Sequence, residues 1–199
     1  MSTIDLFPTK IYKTKYTGDL DLLKADLQPI LADSFEKAKT NNQIMMRGPG
    51  LSAFYVQRDL HTLAITQPLV EFMNKHIEAY WEDLGYTNKL KPTLLHMWAN
   101  DYATGSNLDT HNHAPIPVVG VFYLDKEPGI ANLVLENPND IVLNHQPFEL
   151  GDTAYKQFET EIDAESGDLV LFPGYLRHKT LPNTSTNDRI IIGINVVAR

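Results

Sequence analysis

The sequence predicts a mainly β protein: a sandwich or barrel of short strands, with helices from the first half of the chain packed outside it. Three observations predict this. Two amphipathic helical patterns lie before residue 90. From Lys91-Pro92 onward the apolar period changes to two, and β-branched and aromatic residues dominate. No helical pattern interrupts the strands that follow. At 199 residues the chain is long enough for one domain with a sizeable core, divided into a leading strand with supporting helices over 1–90 and a β core over 91–199.

In chain order, Asp5 to Lys13 reads as an extended leading strand, kept at a sheet edge by Pro8, which has no N–H to offer a ladder. Leu23, Leu27, Leu31 and Phe35 recur every four residues and mark the buried stripe of a helix. Pro29 falls inside that stripe, so two short helices or a kink are expected. Asn41 to Leu51, with Gly48-Pro49-Gly50, reads as a loop. Pro68 to Leu84 is a second helix suited to covering a sheet face, and Gly85 is placed to end it. His76 lies within this run and reads as a surface or packed histidine. Strands are expected at Leu94 to Ala99, Val118 to Asp125, Asn132 to Glu136, Asp140 to Leu143, Asp168 to Phe172, Arg177 to Leu181 and Ile190 to Val197. Glu127-Pro128-Gly129, Asn137-Pro138-Asn139 and Pro182-Asn183 are the turns between them.

Composition narrows the chemistry. There is no cysteine, which removes disulfides, thiolate metal sites and cysteine nucleophiles together and fits a reducing cytosol. A bound metal must use His, Asp or Glu, which points to iron, manganese, zinc, copper or nickel. A net charge of −8 argues against binding nucleic acid through bulk charge. No apolar run approaches a membrane span, and Met1 to Asp5 lacks the features of a secretory signal, so a cytoplasmic location is expected.

Two stretches carry the chemistry. Gly105 to His113 contains His111-Asn112-His113 and runs into the apolar strand from Val118. Residues i and i+2 of an extended segment face the same way, so both imidazoles can reach one point. Gly167 to His178 holds a strand, the Pro173-Gly174 break and then His178. A long loop and the intervening strands allow the third imidazole to join the first two in an open metal site. His61, His96 and His145 have no ligand spacing. The alternative for His178 is an ordinary polar position on a barrel strand.

These residues resemble two related families built on the double-stranded β-helix, the jelly-roll or cupin-like barrel. Leu6-Phe7-Pro8-Thr9, Trp98-Ala99-Asn100, His111-Asn112-His113, Gly120 to Leu124, Gly167 to Pro173 and Arg189 to Asn195 occur in that order. They resemble a subfamily of small Fe(II)- and 2-oxoglutarate-dependent oxygenases common in marine bacteria and their phages. The resemblance spans nearly the whole chain and implies a bacterial or phage-infected host cytosol. It implies an enzyme that uses Fe(II), with 2-oxoglutarate as co-substrate, to convert 2-oxoglutarate, O2 and substrate into succinate, CO2 and a hydroxylated product. It places His111, His113 and His178 as metal ligands and catalytic residues. It places Arg189 on the C5 carboxylate of 2-oxoglutarate, with Tyr123 or Asn107 hydrogen-bonding the co-substrate.

The usual pattern has a carboxylate at the third ligand position, where this chain has His113. Asp109, two residues before His111, is the alternative third ligand, or else accepts a hydrogen bond from a ligand histidine. The second resemblance is to cupins, through Gly105 to His113 and the spacing of Gly167, Pro173 and His178, but the cupin glutamate is missing at Pro117-Val118. The alternatives are therefore a cupin-type metal enzyme that does not use 2-oxoglutarate, and a non-enzymatic jelly-roll binding module. Arg189 is the discriminator, because a charge beside so apolar a strand turns inward only toward an anion. Trp98, Tyr123 and Phe172 are candidates to line the pocket. No residue pattern selects the substrate, so a small molecule and a protein side chain both stay open, as does the oligomeric state.

Overall fold

The computed structural model describes residues 8–41, 46–86, 89–127, 132–139, 158–187 and 189–199. Among these, nine strands and two α-helices follow in the order β1 (Tyr12–Lys15), α1 (Leu20–Thr40), β2 (Leu51–Ser52), α2 (Gln67–Asp83), β3 (Pro92–Tyr102), β4 (Val118–Asp125), β5 (Leu133–Glu136), β6 (Glu159–Ile162), β7 (Asp168–Pro173), β8 (His178–Thr180) and β9 (Arg189–Ala198). They build a six-stranded sheet, ordered β1-β7-β4-β9-β3-β2, and a three-stranded sheet, ordered β6-β5-β8. After β4 the chain leaves the large sheet for β5 and β6, returns for β7, leaves again for β8 and returns for β9. This alternation of antiparallel strands between two sheets is a double-stranded β-helix.

The period of two decides which residues face which layer. On β4, Val119 and Tyr123 join Leu133 and Leu135 of the small sheet in an inner cluster, with Val170 and Phe172 of β7 and Ile191 of β9. Val118, Phe122 and Leu124 point the other way, into a second cluster shared with Leu169, Leu171, Ile192 and Ile194 and with both helices. The central strands are thus buried on both faces. Helix α1 contributes Leu23, Leu27 and Leu31, and α2 contributes Leu69, Met73 and Ile77. Each such side chain adds about 1.5–3 kcal/mol by leaving water. Asp19 caps α1 by accepting from the Leu22 N–H. Helix α2 ends in paired bonds from Gly85 to Glu82 and from Tyr86 to Trp81, and Gly85 takes the left-handed φ of +79° that this closure requires.

Three expectations are corrected. Helix α1 runs unbroken through Pro29, so it is not two short helices. Pro29 and Ala25, the residue one turn back whose carbonyl loses its partner, are both exposed, so water can satisfy that oxygen while the leucine stripe holds the helix. The leading strand begins at Tyr12, where pairing with Leu171 starts, and Pro8 lies outside the ladder. Strand β6 was not foreseen, because Glu159-Thr160-Glu161-Ile162 is polar, exposed and without apolar alternation. The expected strand at 140–143 and most of the loop at 144–159 lie outside the described residues.

Gly174 fixes the geometry of the chain entering β4. Its N–H donates to the Pro117 carbonyl, and its own carbonyl accepts from the His113 N–H at 2.8 Å. A Cβ at this position would stand 2.0 Å from the backbone oxygen of Ile116. Gly174→Ala is therefore expected to destabilise the fold by at least about 1–3 kcal/mol through overpacking, read as a lowered denaturant midpoint.

Candidate metal centre

Strand β8 is the edge of the small sheet, paired on one side with β5 through Leu135 opposite His178. Its other side takes the segment before β4. The N–H of His111 donates to the His178 carbonyl at 3.0 Å, and the N–H of His178 donates back at 2.9 Å. Leu108 adds two more bonds to Thr180. This short antiparallel pairing places His111 and His178 side by side, and the i, i+2 relation puts His113 beside both. Ring centroids are 4.2 Å apart for His111 and His178, and 5.2 Å for each pair that includes His113.

One ring nitrogen from each histidine lies within 4.8 Å of the others, and this is the metal-capable cluster found among the described residues. The Nδ1 atom of each ring faces an oxygen: the Asp109 carbonyl for His111 (2.8 Å), the Leu176 carbonyl for His178 (2.9 Å) and Asn195 Oδ1 for His113 (2.8 Å). Those oxygens accept, so each Nδ1 carries the hydrogen and each Nε2 keeps its lone pair. Burial lowers the pKa of all three rings. His178 is pushed down to about 3, first by burial and then by the neighbouring His111. At neutral pH the centre therefore presents three uncharged imidazoles, a donor set that suits Fe(II). Two metal–nitrogen bonds of about 2.1 Å set at about 90–110° hold their nitrogens roughly 3.0–3.4 Å apart, so binding an ion draws the three rings inward.

Asp109 is not in the cluster. Its carboxylate pairs with Arg47 at 2.7 Å, and only its backbone oxygen serves His111. Arg189 is 1% exposed and lies 4.2 Å above the ring of Tyr102; burial lowers its pKa, yet a guanidinium stays charged. It stands on the inward face of β9 in register with Ile191, Gly193 and Asn195, and so on the same face as the residue that holds His113. A buried guanidinium on that face fits a dicarboxylate. Tyr123 is buried beside Arg189, but its hydroxyl is hydrogen-bonded to the Leu133 backbone. Asn107 is tied to Arg47 through paired backbone bonds. Neither lines the cavities at the histidines.

Two cavities meet at the centre. One of about 260 Å³ opens outward past Met46, Phe54, Trp98 and Ile116. The other, about 40 Å³, lies inside the barrel against Tyr102, Phe172 and Ile191. Trp98, Asn100, Leu108, His111 and His113 line both. Asn100 is buried, and its Oδ1 meets no hydrogen-bond partner among the described residues. Asn100, Tyr102 and Asn195 are the site residues that motif reading did not assign. The parity of Trp98, Asn100 and Tyr102 on β3, and of Arg189 and Asn195 on β9, is the signal that identifies them. Of the expected pocket liners, Trp98 and Phe172 hold. His76 packs on Phe72 and hydrogen-bonds Tyr12, away from the centre.

A jelly-roll with three convergent imidazoles at one end, an inward guanidinium and an open pocket defines a class of mononuclear metal enzymes. Residues 96–195, 100 of the 199, match the family model described as "Putative 2OG-Fe(II) oxygenase", and the chain belongs to that family of Fe(II)- and 2-oxoglutarate-dependent oxygenases. The fold is similar to a prolyl-4-hydroxylase from Pseudomonas putida, at 16% identity, covering 96% of this chain and 94% of that one, with a TM-score of 0.57. It is also similar to HygX from Streptomyces hygroscopicus, solved with nickel and 2-oxoglutarate, at 12% identity, 95% and 83% coverage and a TM-score of 0.58. A third is the viral collagen prolyl hydroxylase of Paramecium Bursaria Chlorella virus-1, at 12% identity, 94% coverage of each chain and a TM-score of 0.56. No curated protein sequence matches the chain. The family decides against the cupin reading of the same spacing. No helix among the described residues is long and apolar enough to cross a membrane.

Proposed function

We propose that this oxygenase is a hydroxylase in which His111, His113 and His178 hold Fe(II) and Arg189 grips the distal carboxylate of 2-oxoglutarate. The observation that carries the reading is the set of three imidazoles, each with Nδ1 anchored to an oxygen and Nε2 left free, at the junction of two cavities. Iron and 2-oxoglutarate supply the oxidation: O2 and 2-oxoglutarate become succinate and CO2, and one oxygen atom enters a substrate C–H bond.

The chain's own residues bind, orient and exclude water. The carbonyls of Asp109 and Leu176 and the amide of Asn195 keep each ring in one tautomer. The Arg189 guanidinium pairs bidentately with a carboxylate in a site where Tyr102 and Ile191 exclude water. Asn100, with an open acceptor between the cavities, takes a donor from whatever is bound there. Apart from His111 and His113, the described residues that line the 260 Å³ cavity carry no titratable side chain, which favours an uncharged group for oxidation.

The test is Fe(II)-dependent conversion of 2-oxoglutarate to succinate by the purified chain, first without substrate and then with candidate substrates, followed by mass spectrometry. A gain of 16 mass units in a substrate, matched by succinate, supports hydroxylation. Succinate release matched by another oxidised product, such as a desaturated one, overturns it.

A further inference from the structure

The third ligand position holds a histidine rather than a carboxylate, which leaves His113 needing a partner of its own. The structure provides one from a different strand. Asn195, near the end of β9 and 6% exposed, places Oδ1 2.8 Å from His113 Nδ1. Its other amide atom, Nδ2, stands 3.5 Å from Nδ1 of His96 on β3. With the amide so placed, His113 Nδ1 offers the hydrogen to Oδ1 and His96 Nδ1 offers a lone pair to Nδ2. Trp98 lies nearly parallel to His113, with ring centres 6.3 Å apart and planes at 24°. Trp98 can lie there because residue 193 is glycine, where a Cβ would stand 2.6 Å from its ring. Ring and amide together leave His113 one orientation.

We propose that Asn195 is the positioning residue for His113. It fixes the Nδ1–H tautomer so that Nε2 faces the metal, and as a neutral acceptor it adds no charge to a centre that already lacks a ligand carboxylate. This inference rests on reading the three histidines as ligands. A carboxylate at position 195 would accept the same hydrogen bond and return one negative charge to the centre, one step removed from the metal. Leucine would fill nearly the same volume and accept nothing.

The experiment compares wild type, Asn195→Leu and Asn195→Asp. Fe(II) and Zn(II) affinities are measured anaerobically by competition with a chromophoric chelator, and the histidine tautomers of the metal-free proteins by 15N NMR. Wild type is expected to show His113 with the hydrogen on Nδ1. Asn195→Leu is expected to lose that signature and to bind metal about 10- to 100-fold more weakly. Asn195→Asp is expected to keep the signature and to bind at least as tightly as wild type. A merely structural role would not separate Leu from Asp in this way. If Asn195→Leu does not fold, Asn195→Ser, too short to reach His113, is read in its place.

Metal affinity in Asn195→Leu within twofold of a tightly binding wild type, or equal weakening by Leu and Asp, overturns the role of Asn195. Wild type that binds neither metal overturns the ligand reading itself, and with it this role.

Discussion

His178→Ala is expected to abolish tight Fe(II) binding and, with it, 2-oxoglutarate turnover. His178 is the most buried of the three rings and the one whose charged form is most disfavoured, so at neutral pH its lone pair is fully available. Losing a hydrogen-bond partner behind a ligand costs about 10- to 100-fold in metal affinity, and losing the ligand itself costs more than about 100-fold. The fold should survive, because β8 is held by its pairing with β5 and by the two backbone bonds between residue 178 and His111, which alanine also makes. Isothermal titration with Fe(II), alongside circular dichroism, separates lost metal from lost structure. His76→Ala is the control. It removes a half-buried histidine that packs on Phe72 outside the centre, and metal affinity should stay at the wild-type value.

The second large effect is expected at Arg189. With Arg189→Ala, the KM for 2-oxoglutarate should rise steeply while Fe(II) affinity stays close to wild type. Truncating one side of a buried, hydrogen-bonded charge pair costs about 2–5 kcal/mol, or roughly 30-fold to several thousandfold. Arg189→Lys should recover only part of this, since an ammonium does not reproduce the planar two-point grip. A binding readout needs no substrate. Saturating 2-oxoglutarate with metal should raise the wild-type melting temperature, as any ligand specific to the native state does, and that rise should vanish in Arg189→Ala. A full thermal shift in the variant would place the co-substrate's distal carboxylate elsewhere.

Both effects fall on residues that the sequence already singled out, and the reason is local. His111 and His113 share a face because their segment is extended, and Arg189 shares the inward face of β9 with Ile191, Gly193 and Asn195 through the strand's period of two. The bounds of β4 agree with the apolar run Val118 to Asp125, since nearly every position there is buried on one face or the other. Other features depend on pairing that no local pattern encodes. Strand β6 holds its place by lying against β5, and its own residues are polar. Pro29 is tolerated because the exposed side of α1 leaves a carbonyl to water. Asn195 reads as part of an apolar strand until β9 and the segment after His111 come together, 82 residues apart in sequence. Tyr123 is among the expected pocket liners, but it lines neither cavity at the histidines, because its hydroxyl is turned to the backbone of β5, a contact visible only once the two sheets face each other. Asp109 could not be separated from His113 as third ligand by spacing alone. Arg47, 62 residues earlier, occupies its carboxylate.

The central claim is that one centre binds metal through three histidines and 2-oxoglutarate through Arg189. It is tested most directly by anaerobic titration of the metal-free protein with Fe(II) and then 2-oxoglutarate, followed by visible absorption. The account predicts a metal-to-ligand charge-transfer band that requires both additions, is absent in His178→Ala and needs far more 2-oxoglutarate in Arg189→Ala. Tight Fe(II) binding with no band at any 2-oxoglutarate concentration, or an unaltered band in His178→Ala, would contradict it.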